Sequence, residues 1–195
     1  MARDRSSREG ASPRRLFVGV EIPEVARSVA WDAFAPVREA FPKAKWVPPE
    51  NFHVTLKFLG PVWPRLVSWV EQGCASAAAA VEPFELSLSG AGRFPDSGKA
   101  STLWAGVADP ERGTWKLAER LDAELEEEFR AERRSFSPHL TVARSRPPLD
   151  IDDVLDRVTL TAGPWVVSEL LLIESHLGRP APRYEPLVRL PLGDA

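Results

Sequence analysis

Apolar and polar residues alternate along two short stretches of the chain, and each stretch contains a histidine followed two positions later by a threonine. Because a strand turns alternate side chains to opposite faces, each histidine and its threonine should lie side by side on one face. The residues between and after them are mostly apolar and indicate that the other face packs on a core. The stretches are residues 51–60, with His53 and Thr55, and residues 136–144, with His139 and Thr141.

A chance origin of this pairing is improbable, because the chain has only three histidines and six threonines in 195 residues. Two histidines would each have a threonine two positions on with a probability of about 0.3%, which is a low false-positive risk for a motif. The same alternation predicts that Lys57 shares the face of His53 and that Phe58 faces the core.

The remaining pattern predicts alternating strands and helices. The predicted strands are residues 16–22, 84–89, 101–107, 165–174 and 184–190, besides the two motif strands. The predicted helices are one from residue 24 that Pro36 splits and Pro42 ends, then 64–81, 110–129 and a short one at 151–157. Residues 90–99, with Gly, Pro and Asp, are predicted to be a loop. This order predicts an α+β fold, and the spacing of the motifs suggests two duplicated lobes that each contribute one His to a central cleft.

Composition and charge agree with a soluble globular protein, with 44% hydrophobic and 27% charged residues. The net charge of −3 argues against nucleic-acid binding by bulk charge, although it allows a local basic rim. Since no apolar run approaches the roughly 20 residues that span a bilayer, no membrane association is predicted. Residues 1–13 are predicted to be a disordered basic tail and residues 14–195 one bilobed domain. The single Cys74 and the lack of a secretory pattern favour the cytoplasm, and a monomer is the default.

The two motifs and their flanks resemble the two-histidine (2H) phosphoesterases, and within them the RNA 2′,3′-cyclic phosphodiesterases first described as 2′-5′ RNA ligases. The resemblance extends over most of the chain from Arg15 onward, and the paired motifs make it specific. The matching segments are RLFV at 15–18, WVPPENFHVTLKFLG at 46–60, PFEL at 83–86, GRFP at 92–95, LWAGV at 103–107, FSPHLTVAR at 136–144, ES at 174–175 and PL at 191–192. The chain departs from the family at His176, where relatives more often carry Arg.

This resemblance implies two antiparallel sheets with helices on their outer faces, around a cleft that carries both motifs. It also implies hydrolysis of an RNA 2′,3′-cyclic phosphate end, or of a small cyclic nucleotide, to a 2′-phosphomonoester without metal or cofactor. By this resemblance His53 is the proton donor and His139 the proton acceptor, while Thr55 and Thr141 donate hydrogen bonds to phosphate oxygens.

The chemistry of the residues agrees with that scheme, because imidazoles with a pKa near 6.5 can act as acid and base around neutral pH. The residues alone do not say which histidine is the acid. Lys57 and Arg144 are candidate substrate contacts, with a solvated strand end and an ion pair as their respective alternatives. A binding module for RNA ends, and 2′-5′ end joining at the same site, remain alternative functions. A metal site of His53, His139 and His176 lacks ligand spacing in the sequence.

Overall fold

The computed structural model describes residues 12–130, 135–178 and 181–193. Most of the predicted tail, residues 1–11, lies outside the described residues, so its disorder stays a prediction. The strands are β1 (Arg14–Glu21), β2 (Lys45–Trp46), β3 (His53–Val62), β4 (Phe84–Phe94), β5 (Ala100–Ala108), β6 (His139–Leu149), β7 (Thr161–Val167), β8 (Glu169–His176) and β9 (Arg183–Pro191). The α-helices are α1 (Glu24–Ala33), α2 (Ala35–Ala40), α3 (Pro64–Ala79), α4 (Gly113–Leu125) and α5 (Asp152–Leu155), with a 3₁₀ turn at Pro49–Asn51.

Proline and capping residues set the helix ends. The predicted break in the first helix is confirmed: α1 stops at Ala33 and α2 begins at Ala35, with Pro36 in its first turn. A proline there has no backbone N–H to donate to a carbonyl oxygen of the preceding turn, so one continuous helix cannot form. Helix α4 begins where the Asp109 carboxylate accepts the backbone N–H groups of Gly113 and Thr114, at 2.9 and 2.8 Å.

The strands form a mixed α+β fold with one antiparallel sheet of nine strands. Its order is β7-β4-β5-β6-β3-β1-β8-β9, with β2 paired to β6. The expectation of two separate sheets is therefore wrong, because β3 and β6 pair with each other through Val54 and Leu140 and join the halves. The sheet is also strongly curled: β7 at one end and β8 near the other are separated by only Ser168, which spans a few ångströms.

Two boundaries differ from the pattern-based prediction. The expected single strand over residues 165–174 is two strands, because β7 pairs with β4 whereas β8 pairs with β1 and β9. An unbroken apolar run has no feature that marks such a change of partner. The expected loop at residues 90–99 is shorter, since β4 continues to Phe94 and pairs with β5 that far.

The main core lies on one face of the sheet, under α1, α3 and α4. Val18, Val54, Leu140 and Leu172 point from the central strands into it and are fully buried or nearly so. The opposite face carries the motif histidines. Within the described ranges, no helix combines the length and the apolar character needed to cross a membrane. The duplication of lobes stays a prediction.

Candidate active site

The two motif strands meet at the centre of the sheet. The antiparallel pair of Val54 and Leu140 sets His53 opposite Thr141 and Thr55 opposite His139. The two histidines therefore occupy one diagonal of a four-residue patch, and diagonal neighbours on paired strands lie roughly 7–8 Å apart. That gap can hold a phosphate group with an imidazole on either side.

Backbone carbonyls fix both imidazole rings in the same way. The Nδ1 atom of His53 lies 2.7 Å from the carbonyl oxygen of Asn51, and that of His139 lies 2.8 Å from the carbonyl oxygen of Ser137. A carbonyl only accepts a hydrogen bond, so each Nδ1 must carry the proton and donate it. In both rings Nε2 is then the nitrogen that can gain or release a proton.

Aromatic rings enclose His53. Its ring lies 4.7 Å from that of Phe17 and 5.1 Å, edge to face, from that of Tyr184. Burial among these rings is the main cause that lowers the pKa of His53 from 6.5 to about 4. The hydrogen bond to the Asn51 carbonyl opposes this decrease, whereas the charges of Arg144 and His139 add to it.

A second aromatic pair lies beside His139. The Phe94 ring meets it edge to face at 5.0 Å, and the Trp104 ring lies 6.4 Å away. Trp104 is opposite Thr141 in the β5–β6 ladder and so lies on the same face of the sheet. Each histidine ring thus lies between the backbone carbonyl of the residue two positions before it and a pair of aromatic side chains.

A β-bulge follows the threonine in each motif strand. Gly19 pairs with Thr55 and Val18 with Lys57, which leaves Leu56 as the extra residue of β3. In β6 the extra residue is Val142, three positions after His139, at the position that Leu56 has after His53. An extra residue shifts the side-chain alternation of the following residues to the opposite face.

This shift makes the prediction for Lys57 wrong. Lys57 points into the core, is 3% exposed and forms an ion pair with Asp122 of α4. Phe58, which was expected in the core, lies on the cleft face and is 46% exposed. Lys57 is therefore a structural link between β3 and α4 and is not placed to contact a substrate in the cleft.

Arg144 is brought to the cleft face by the bulge in β6. It has the same position after its motif as Phe58 has after the first, and it pairs with Thr102, whose hydroxyl accepts a 3.4 Å hydrogen bond from the Arg144 guanidinium. The Arg144 charge helps to lower the pKa of His53, and it partly offsets the rise that burial causes in the pKa of Tyr184. A cation thus lies near the imidazole and the phenol.

His176 lies on the other face of the sheet. In β8, Leu171 and Ile173 pack with Phe17 on the cleft side of the sheet. Because alternate residues of a strand face opposite sides, Glu174 and His176 point away from the cleft. There His176 lies 3.7 Å from Glu174 and 3.2 Å from Glu185. His176 is therefore partly exposed on the side away from the cleft, and it cannot join His53 and His139 in a metal site. Among the described residues, no cluster of metal-ligating side chains is found.

Sequence reasoning missed several of the cleft residues. Tyr184, the only tyrosine, reaches His53 from β9, which is far from the motif in sequence. Phe17 and Phe52 are 1% and 2% exposed, so neither ring presents an open face on which a base could stack. The strand parity of Tyr184 opposite Ser175 would have indicated its face only once the pairing of β8 with β9 was known.

Comparison with known proteins agrees with this geometry. Residues 23–179 match the family described as the 2′-5′ RNA ligase superfamily. The chain is 34% identical over 175 residues to the RNA 2′,3′-cyclic phosphodiesterase of Methanothermobacter thermautotrophicus, covering 87% of this chain and 94% of that protein. It is 33% identical over 187 residues to the enzyme of the same name from Thermus thermophilus, covering 91% and 90%.

Solved structures show the same fold. The Thermus thermophilus protein TT0787 superposes with a TM-score of 0.79 at 29% identity, covering 93% of this chain and 100% of that one. Escherichia coli LigT complexed with 3′-AMP superposes with a TM-score of 0.69 at 26% identity, covering 93% and 99%. The paired motifs, the family match and these structures together show that the chain belongs to the 2′-5′ RNA ligase superfamily of two-histidine phosphoesterases.

Proposed function

We propose that this protein hydrolyses RNA 2′,3′-cyclic phosphodiester ends to 2′-phosphomonoesters, without a metal ion or cofactor. The observation that carries this proposal is the pair of imidazoles on one face of the sheet, each with Nδ1 bound to a backbone carbonyl. With Nδ1 as the donor in both rings, Nε2 is the nitrogen of each ring that would transfer a proton to or from a bound phosphate ester. Relatives that cover most of the chain are named for this activity.

In the proposed reaction, the oxygen of a water molecule forms a bond to phosphorus while the bond from phosphorus to O3′ breaks. His139 accepts the proton of the water, and His53 donates a proton to O3′ as it leaves. Thr55 and Thr141, opposite the histidines, donate hydrogen bonds to the non-bridging oxygens, where negative charge grows. Arg144 adds a cation on the same face.

The acid role requires that His53 becomes protonated when substrate binds. Its pKa of about 4 in the ligand-free protein reflects burial and the nearby Arg144 charge. A bound phosphate anion opposes both effects, because it offsets the repulsion from Arg144 and stabilises the imidazolium. The low pKa also favours the reverse assignment, in which His53 is the base and His139 the acid.

A substrate with sulfur in place of O3′ distinguishes the two assignments. Thiolate leaves without protonation, so such a substrate should restore turnover to the variant that lacks the acid but not to the one that lacks the base. We expect rescue of His53→Ala and none of His139→Ala. Rescue of His139→Ala alone would reverse the roles while leaving the reaction unchanged.

The activity itself is tested with an oligoribonucleotide that ends in a 2′,3′-cyclic phosphate, in the presence of a chelator. The products are resolved as 2′- and 3′-phosphates. His53→Ala and His139→Ala should each lower the rate by about 10²–10⁴-fold. His176→Ala is the matched control, because this third histidine lies on the other face, and it should keep full activity.

Two alternative functions predict different results. A binding module for RNA ends would retain the oligonucleotide, with an affinity that falls steeply with salt, and would not turn it over. End joining would give a 2′-5′ linkage when an RNA with a free 5′-hydroxyl is added, at the same residues. A small cyclic nucleotide remains a candidate substrate, and a cytoplasmic monomer remains a prediction that light scattering and fractionation can test.

A further inference from the structure

Phe58 is an exposed aromatic side chain that the proposed chemistry does not use. Among the exposed large apolar residues of the described ranges, only Phe58 and Trp63 are aromatic, at 46% and 49% exposed. Trp63 lies beyond the end of β3, at the start of α3. Phe58 lies on the cleft face, where the bulge at Leu56 has turned it.

The surroundings of Phe58 connect it to the reactive centre. Its ring stacks on that of Phe17, with 5.7 Å between centroids and 22° between planes. Phe17 in turn lies 4.7 Å from the His53 ring. By these two contacts the Phe58 ring is no more than about 10 Å from that of His53, on the same face of the sheet.

A cation accompanies the exposed ring. The guanidinium carbon of Arg15 lies 5.7 Å from the centre of the Phe58 ring, and Arg15 is itself exposed. Arg15 and Arg144 both act on the pKa of Tyr184, whose phenol therefore lies near both cations. An aromatic face with cations beside it is the arrangement by which single-stranded nucleic acid is held, through base stacking and backbone charge.

We propose that Phe58 and Arg15 form a stacking subsite for a nucleobase, namely the base of the nucleotide that carries the cyclic phosphate. This inference rests on the proposed function, because it takes the phosphate to lie between the histidines. With the phosphate above Thr55, the base of the same nucleotide reaches along β3 to Phe58. Purines, with their larger face, should stack better than pyrimidines.

The test compares two cyclic phosphates that differ only in the base. They are adenosine 2′,3′-cyclic phosphate and 1-O-methylribose 2,3-cyclic phosphate, which has no base. Phe58→Leu keeps an apolar contact with Phe17 but has no aromatic face. It should lower the kcat/KM for the adenosine compound, relative to that for the compound without a base, by about 5- to 150-fold. Phe58→Trp should restore the ratio, and Trp63→Leu is the matched control that should not change it.

Several outcomes would overturn the subsite. An unchanged ratio in Phe58→Leu shows that the ring holds no base, and an equal loss on both substrates shows that Phe58 only supports Phe17. A loss that requires a further nucleotide on the 5′ side places the stack on a different base. If the wild-type protein turns over neither compound, the proposed function is judged by the oligoribonucleotide assay alone. The subsite is then judged by whether Phe58→Leu weakens binding of adenosine 2′-monophosphate and not of 1-O-methylribose 2-phosphate.

Discussion

The protonation of His53 gives a direct measure of how the cleft controls its chemistry. Burial lowers the pKa of this ring from 6.5 to about 4, with repulsion from Arg144 and His139 adding to the effect. The difference corresponds to about 3 kcal/mol against the charged ring. At pH 7, about one ligand-free molecule in a thousand should therefore carry a protonated His53.

The assay is an NMR titration of the imidazole carbons, which is simple because the chain has only three histidines. His139→Ala and His176→Ala identify the signals by loss. We expect His53 to titrate near pH 4, to titrate at higher pH in Arg144→Gln, and to titrate at higher pH again when sulfate is added. Sulfate is a suitable probe because it does not itself titrate in this range.

A pKa of His53 near 6.5 in the ligand-free wild type would refute the reasoning, since burial would then not disfavour the charged ring. An unchanged pKa in Arg144→Gln would show that the guanidinium lies too far away to act on the ring. A pKa near 6.5 would also remove the main physical argument for the reverse assignment of acid and base, whereas an unchanged pKa in Arg144→Gln would leave burial as the cause of the low value.

The same lowered pKa makes stability depend on pH. Between about pH 6.5 and pH 4 the unfolded chain binds a proton at His53 that the folded chain does not, so unfolding becomes easier as the pH falls. The stability is fully present above pH 6.5 and lower by about 3 kcal/mol below pH 4. His53→Asn should be less sensitive to acid than the wild type in denaturant titrations at pH 7 and 4.5, and equal sensitivity would contradict this account.

Two further predictions concern the framework around the site. Asp122→Ala should lower the free energy of unfolding by about 3 kcal/mol, because it leaves the Lys57 ammonium buried without its partner. Lys57→Met should cost less, since Asp122 is 41% exposed and can be hydrated; urea titrations that gave the reverse order would refute the argument. Gly19→Ala should cost about 1–3 kcal/mol, because its Cβ would lie 2.7 Å from the Val54 carbonyl oxygen. Gly178→Ala, where the nearest atom is at 3.7 Å, is the control, and equal melting temperatures of the two variants would contradict the expected clash.

Much of the local structure follows from residues close together in the sequence. The paired histidine and threonine motifs predicted two strands, and both rings lie on one face of the observed sheet. Pro36 predicted the break between the first two helices. These features depend on backbone sterics and side-chain periodicity over a few residues, which a single sequence displays directly.

The tertiary structure alone decided which face the residues after each motif occupy. The bulges at Leu56 and Val142 appear only when β3 and β6 pair with β1 and β5, and they send Lys57 inward and Phe58 outward. The apolar run around Ser168 does not indicate a change of strand partner either. The partners of β7 and β8 are distant in sequence, so the pairing depends on how the whole sheet assembles. The pKa of His53 has the same origin: it depends on burial and charges that three separate segments bring together, and no local pattern contains that information.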